Sequence, residues 1–380
     1  MDIGVRSKIP EARPQTDTSW RHLDLYVNRS VFYSPRVHPS DPLVTSSLAL
    51  EDRTEMHLPG HERCTACGSG GFLIQDIPRE YAEGMAVEAR IKESYQGWLK
   101  MPHGGIGMAF ILELARAKSR PGDHHLREYP FRASFRWGGT PLFLGETVRV
   151  SVELQDDKIK GGVWKIEDEK PLPYLNAELT DLKTVPENYS SWVHSFVDIL
   201  GSDLKHHASR LPRYRECFVC GMEREQPGLQ RTFYHLEKNG QRTIFSFHGL
   251  DPDDDEHFYW LRISDQEVHP GVLASVMDET LGWSGFLMSG QGGVTVKLEI
   301  DFLRPLSPAE KIICCGRCTR VRGVSPHRLF WYSEGVVIPL RGEDRTPLAI
   351  ARGQWMAMPG LTEEMKSNLL PRSTVEKLFS

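Results

Sequence analysis

The feature that most constrains this chain is an internal duplication. Cys64-Thr65-Ala66-Cys67-Gly68 returns as Cys217-Phe218-Val219-Cys220-Gly221, 153 residues later. Pro102-His103-Gly104-Gly105-Ile106 returns as Val268-His269-Pro270-Gly271-Val272, 166 residues later. Pro141-Leu142, followed by Gly145-Glu146, returns as Pro305-Leu306, followed by Ala309-Glu310, 164 residues later. Three matches in one order at nearly constant spacing point to one domain written twice, and such a repeat governs the whole fold. The change in spacing implies an insertion of about 13 residues in the second copy, placed in the acidic loop Asp251-Pro252-Asp253-Asp254-Asp255-Glu256. The 380 residues accommodate this, since a domain takes roughly 100–200.

The expected division is an irregular N-terminal arm over 1–55, a first repeat over 56–187, a linker over 188–210, a second repeat over 211–360 and a tail helix over 361–380. Each repeat begins with a Cys-Gly turn and alternating strands such as Ala86 to Ile91 and Thr243 to Phe247. An apolar segment then opens at the His-Gly element, Gly105 to Ala117 or Gly271 to Met288. Apolar nearly all round, it predicts a helix that is wrapped and buried. Four strands follow it: Phe131 to Trp137, Glu146 to Leu154, Val163 to Glu167 and Tyr174 to Leu182 in the first copy. In the second they are Val294 to Leu303, Lys311 to Val321, Arg328 to Val337 and Leu348 to Met358. One central helix with an antiparallel meander is an α+β pattern.

Composition narrows the function classes. A net charge of −5 leaves no basic footprint, so no nucleic-acid partner is expected. No apolar run approaches the ~20 residues of a membrane span. Met1 to Asp17 lacks the apolar core of a secretory signal, which predicts a cytoplasmic, reducing compartment. Seven cysteines there are an unpromising disulfide framework.

The second copy carries Cys217-Phe-Val-Cys-Gly221, Pro227-Gly228-Leu229, His269-Pro-Gly-Val-Leu273, Asp278-Glu279, Gly282, Val294-Thr-Val-Lys-Leu298 and Phe302-Leu-Arg-Pro305. The first keeps Tyr95-Gln96-Gly97 and Pro102-His-Gly-Gly-Ile106. In this order the motifs resemble the hotdog-fold thioesterase superfamily, in particular its phenylacetyl-CoA-thioesterase-like branch, over roughly residues 60–185 and 205–360. The resemblance implies a double hotdog: two antiparallel sheets, each wrapped round a long helix, paired by a pseudo-two-fold on one chain. It also implies an acyl-CoA or acyl-carrier-protein substrate and no cofactor. A homodimer of such units is left open.

In that family the amide after the His polarises the thioester carbonyl, and an acid nine positions after the His is nucleophile or general base. Here that position is Asp278 in the second copy and Leu112 in the first. Nine helical residues rise about 13.5 Å, so Asp278 cannot serve a carbonyl held at the start of its own helix. It can serve the other copy. Two crossed sites result: His103, Gly104 and Gly105 with Asp278, and His269, Pro270 and Gly271 with Leu112 and Glu113. A helix start offers unsatisfied amides and partial positive charge to an oxyanion, and glycine admits the ligand closely. Proline has no N–H, so Pro270 and Leu112 strip the second site of donor and acid. One working site is expected, with Gly104 as donor and Asp278 as acid. The apolar neighbours Val276, Met277 and Leu281 should raise the Asp278 pKa.

Rival readings stand beside these. His103 and His269 could be capping residues alone. Glu279 reads as a solvated or salt-bridged neighbour. Glu113, roughly 100° round the helix from Leu112, reads as a substitute acid, a second-site ligand or neither. The CxxC pairs read as packed thiol turns; zinc would require them to meet in space, since no local His completes either pair. Cys314, Cys315 and Cys318 alternate along a strand as core would. Lys297, Arg304, Arg317 and Arg320 could meet a phosphate, with solvated surface as the default. Dehydratase, hydratase, isomerase or cyclase chemistry is the enzymatic alternative, because one fold serves many reactions. Against it, no Asp-x-x-x-x-His spacing occurs, and His257-Phe258 precedes Pro270-Gly271 by too many residues. A non-catalytic acyl or lipid binder is the third reading.

Overall fold

The computed structural model describes residues 64–67, 72–74, 76, 78–81, 84–118, 129–167, 170–184, 189–200, 208–224, 228–238, 240–249, 261–323, 329–340, 346–369, 372–373 and 376. The expected arm and the acidic insertion loop lie outside them. The first repeat contains β1 (Arg79–Tyr81), β2 (Gly84–Arg90), α1 (Gly104–Lys118), β3 (Phe131–Trp137), β4 (Thr147–Gln155), β5 (Lys158–Glu167) and β6 (Lys170–Asp181). After it come α2 (Tyr189–Leu200) and β7 (Ser209–Arg210). The second contains β8 (Tyr234–Lys238), β9 (Gln241–His248), β10 (Arg262–Ser264), β11 (Glu267–Val268), α3 (Pro270–Ser289), β12 (Gly293–Phe302), β13 (Ile312–Arg322), β14 (Phe330–Pro339) and β15 (Ala349–Ala357). α4 (Pro359–Glu364) and a wider turn over Met365–Leu369 close the described chain.

The sheet order is β1-β2-β4-β5-β6-β3-β12-β15-β14-β13-β9-β8-β7. Read outward from its centre, it is a palindrome. β3 answers β12, β6 answers β15, β5 answers β14, β4 answers β13 and β2 answers β9. The expected pairing of two sheets thus takes the form of one continuous antiparallel sheet running through both repeats. Its seam is the pairing of β3 with β12, Phe131↔Phe302 through Arg136↔Lys297. Each of these strands would otherwise expose a row of unpaired backbone groups, and pairing them removes both edges.

Alternation along the strands sets the layers. On β3, Phe131, Ala133 and Phe135 are buried. On β13, Cys314 faces Thr280 and Met277 of α3, while Ile313 and Cys315 join Val193 and Phe196 of α2 on the opposite face. The segment read as a linker thus holds a helix that covers the sheet's outer face. Cys314 and Cys315 are core, and Cys318 is half-buried. α1 and α3 are buried almost all round, as their sequences require; in α3 every residue from Pro270 to Leu281 is buried. The helices touch near their starts, where a Cβ on Gly105 would stand 1.9 Å from Ser275 Oγ and one on Gly271 2.5 Å from Ala109 Cβ. Among the described residues no helix is long and apolar enough to cross a membrane.

The seam carries a two-pronged ion pair. Arg132 Nε donates to Asp301 Oδ1 at 2.5 Å and its terminal nitrogen to Oδ2 at 2.9 Å. Phe131 stacks on Phe302 beside it, with ring centroids 4.8 Å apart. Asp301 is only 2% exposed, so deleting its partner strands a buried carboxylate, at a cost of several kcal/mol in fully buried pairs. Arg132 is itself partly exposed, which reduces the figure. We expect Arg132→Ala to lower the unfolding free energy in urea by about 2 kcal/mol. A change below about 0.5 kcal/mol, the size of an ordinary surface substitution, would count against the seam as a structural join.

Candidate functional site

The two helix starts are built alike. The His103 amide donates to Tyr95 O at 2.8 Å, and the ring Nδ1 accepts from the Gly105 amide at 3.0 Å. The His269 amide donates to Leu261 O at 2.9 Å, and its Nδ1 accepts from the Gly271 amide at 3.0 Å. Both rings are therefore N-terminal caps. Each then reaches across to the other helix. His103 Nε2 meets Glu279 Oε2 at 3.3 Å and His269 Nε2 meets Glu113 Oε2 at 3.0 Å. Glu113 and Glu279 are equivalent residues, 166 apart like the histidines they face.

Of the two readings of Glu279, solvated or salt-bridged, the structure has the second: it is buried at 6% exposure, pairs with His103 and also accepts from Trp283 Nε1 at 3.2 Å. Glu113 is wholly buried against His269 and Cys64, whose thiol donates to Glu113 Oε1 at 3.5 Å. Sequence spacing missed these pairs because they join residues more than 150 positions apart; the shared 166-residue offset was the available signal.

Asp278 lies at the first helix start. A Cβ on Gly104 would stand 2.6 Å from Asp278 Oδ2 and 3.2 Å from the Trp137 ring. No side chain at position 104 other than hydrogen leaves room between amide and acid. Thr295 Oγ1, on β12, donates to Asp278 Oδ1 at 2.8 Å and fixes the carboxylate. Burial pushes the Asp278 pKa up, and the Glu279 charge adds to it, while the His103 charge and the Thr295 hydrogen bond pull the other way. Tyr174, hydrogen-bonded to Trp137, completes this wall; burial and the nearby Asp278 charge push its phenol up to about 12. Thr295 lies in the Val294-Thr-Val-Lys-Leu298 motif, whereas Trp137 and Tyr174 carry no signal of a role in the sequence, because tertiary packing alone brings them to the acid. The mirror position offers buried Leu112 and Pro270 in place of Asp278 and Gly104.

Burial opposes charge on His103, but the Glu279 hydrogen bond and the Cys217, Asp278 and Glu279 charges outweigh it, pushing the ring up to about 9. Charging the ring also consumes the Nδ1 lone pair that the Gly105 amide uses. The cap therefore opposes that upward shift, and while it holds, Nε2–H donates to Glu279.

The Cys turns close the back of each site. Thr65 N donates to Arg262 O at 3.0 Å, and Phe218 N donates to Gln96 O at 2.6 Å, each contact seven residues before the other repeat's histidine. Among the described residues, metal-type donor sets converge at two places: Cys64, Cys67 and Glu113, and His103, Cys217 and Glu279, each within 4.8 Å. Burial raises the Cys217 thiol, yet the Cys220 hydrogen bond and the His103 charge bring it below the usual value. The four basic candidates are engaged locally: Lys297 with Glu299 at 3.7 Å, Arg304 with Glu310 at 2.6 Å, Arg317 with Glu334 at 2.6 Å, and Arg320 over the Tyr332 ring at 4.2 Å.

Residues 266–325 match the thioesterase superfamily. No curated protein sequence matches the chain. Among solved structures, the tesB protein of Mycobacterium avium subs paratuberculosis aligns at 12% identity over 74% of this chain and 96% of its own, with a TM-score of 0.43. Acyl-CoA thioesterase II TesB2 from Mycobacterium marinum aligns at 10% identity over 74% and 96%, with a TM-score of 0.41. The dehydratase domain of PpsC from Mycobacterium tuberculosis aligns at 10% identity over 72% and 94%, with a TM-score of 0.45.

Proposed function

We propose that this chain, of the thioesterase superfamily over residues 266–325, is a double hotdog that hydrolyses an acyl-CoA or acyl-carrier-protein thioester at one site shared between its repeats. The observation that carries this reading is the Asp278 carboxylate lying against the Gly104 backbone. The substrate carbonyl sits on the Gly104 amide, where the start of α1 stabilises developing negative charge. Asp278, held by Thr295, takes a proton from water as the water attacks the carbonyl carbon, or attacks it directly. The C–S bond then breaks, releasing a carboxylic acid and a thiol. His103 positions this machinery: it caps α1, aims the Gly105 and Gly104 turn, and is locked by Glu279. The Pro270 and Leu112 site lacks both donor and acid and is silent.

The test is release of free thiol from a panel of acyl-CoA thioesters of varied chain and ring type. Turnover of at least one class supports the reading. Water addition to an enoyl thioester without thiol release, or acyl-CoA binding with no turnover across the panel, overturns it.

The acid limb gives a second check. The working form of Asp278 is the carboxylate, so kcat/KM falls as pH drops through its pKa. Burial raises that pKa, so the limb is expected above the ordinary value of 3.8. A limb at or below that value would contradict the assignment of Asp278 as base.

A further inference from the structure

We infer that Cys64, Cys67 and Glu113 form a zinc-type metal site at the back of the second helix start, with His269 orienting the carboxylate. The inference is independent of the hydrolase reading, because the residues lie with Pro270 and Leu112 rather than with Gly104 and Asp278. The Cys64 and Cys67 sulfurs and a Glu113 oxygen lie within 4.8 Å of one another. Two thiolates and a carboxylate suit a tetrahedral zinc ion with a fourth position for water. With bonds of about 2.3 Å to sulfur and about 2.0 Å to oxygen, a tetrahedron sets the S···O edge near about 3.5 Å. The Cys64 Sγ to Glu113 Oε1 distance is 3.5 Å.

The surroundings are built for rigidity. The cysteine turn is pinned by Phe72 N to Thr65 O at 2.8 Å, Leu73 N to Ala66 O at 2.9 Å and Thr65 N to Arg262 O at 3.0 Å. The Gly271 amide occupies His269 Nδ1, so the ring presents Nε2–H to Glu113 Oε2 at 3.0 Å. That leaves Oε1 turned toward the sulfurs, the arrangement by which an outer imidazole orients a ligating carboxylate. A dication would offset the charge of a carboxylate whose side chain is wholly buried. Binding releases the two thiol protons to solvent and leaves the set with one net negative charge. The mirror set differs: there only Cys217 converges with His103 and Glu279, so the metal is assigned to the first repeat's turn.

The experiment titrates the full-length chain, reduced and stripped with a chelator, with Co2+ and then Zn2+. The expected result is one equivalent per chain, a thiolate-to-cobalt charge-transfer band, and its displacement by zinc. Cys64→Ser and Cys67→Ser should each weaken binding beyond the roughly 10–100-fold of an outer-shell change. The Cys217→Ser/Cys220→Ser double variant should keep the full equivalent. Should the Cys64 or Cys67 variants fail to fold, zinc-edge X-ray absorption on the unmutated chain decides, with two sulfur neighbours expected. No uptake by the reduced chain, uptake unchanged in folded Cys64→Ser, loss in the Cys217→Ser/Cys220→Ser variant, or a sulfur count other than two would each overturn the assignment.

Discussion

Asp278→Asn is expected to lower kcat for thioester hydrolysis by about 10²–10⁴-fold, the range a positioned general base contributes, while the protein stays folded. Asparagine keeps the volume of the side chain and can still accept the Thr295 hydrogen bond, now 2.8 Å long. Only the charge is removed. The sign of the stability change follows from the raised pKa of the acid. A carboxyl whose folded pKa exceeds its unfolded value favours the fold at low pH and loses that contribution as pH rises through the folded pKa. At neutral pH the charged form is thus a burden on the fold. The denaturation midpoint of Asp278→Asn should equal or exceed that of the unmutated chain. Retained turnover, or a loss of turnover accompanied by a lower midpoint, would contradict the role given to this residue.

Gly105→Ala is expected to be severely damaging for a single methyl, lowering stability by about 3 kcal/mol. The added Cβ would lie 1.9 Å from Ser275 Oγ, 2.5 Å from its Cβ and 2.7 Å from its Cα. A side-chain atom can rotate away, but the Cα cannot, so α1 and α3 must separate. Interiors are packed too densely to absorb that shift locally. Separation would also draw Gly104 away from Asp278, so folded molecules should lose turnover as well. Ser275→Gly removes the Oγ and Cβ contacts and should rescue part of the loss, giving a coupling of about 1 kcal/mol or more in a double-mutant cycle. Chemical denaturation of the four proteins measures it. Stability within about 0.5 kcal/mol of the unmutated chain, or no coupling to Ser275, would remove the close helix contact from the account.

How far these features could be read from sequence depends on whether their cause is local. The two buried helices follow from uninterrupted apolar faces, and the strands from alternation, because each signal sits within one segment. The crossing of the repeats follows from the rise of a helix: Asp278 is too far from His269 to serve it and had to be supplied to the other start. The continuous sheet had no such signal. Whether β3 and β12 end as exposed edges or pair with each other depends on a register between Phe131 and Phe302 that no stretch of either strand encodes alone. The glutamates show a different limit. The angular offset of Glu113 from Leu112 turns it off the line of the acid position, but angle alone cannot name the His269 ring that receives it. The α2 helix falls in a segment that reads as a linker, since its apolar face has meaning only against Phe245 and Val336 of the sheet.

The central claim is that one helix start binds and activates the thioester with an acid from the other repeat. The most direct measurement is a crystal structure of Asp278→Asn with an intact acyl-CoA. The account predicts the thioester carbonyl oxygen at about 3 Å from the Gly104 amide, with the substituted amide side chain at position 278 facing the carbonyl carbon. A carbonyl bound instead at Pro270 and Gly271, beside Leu112, would contradict it.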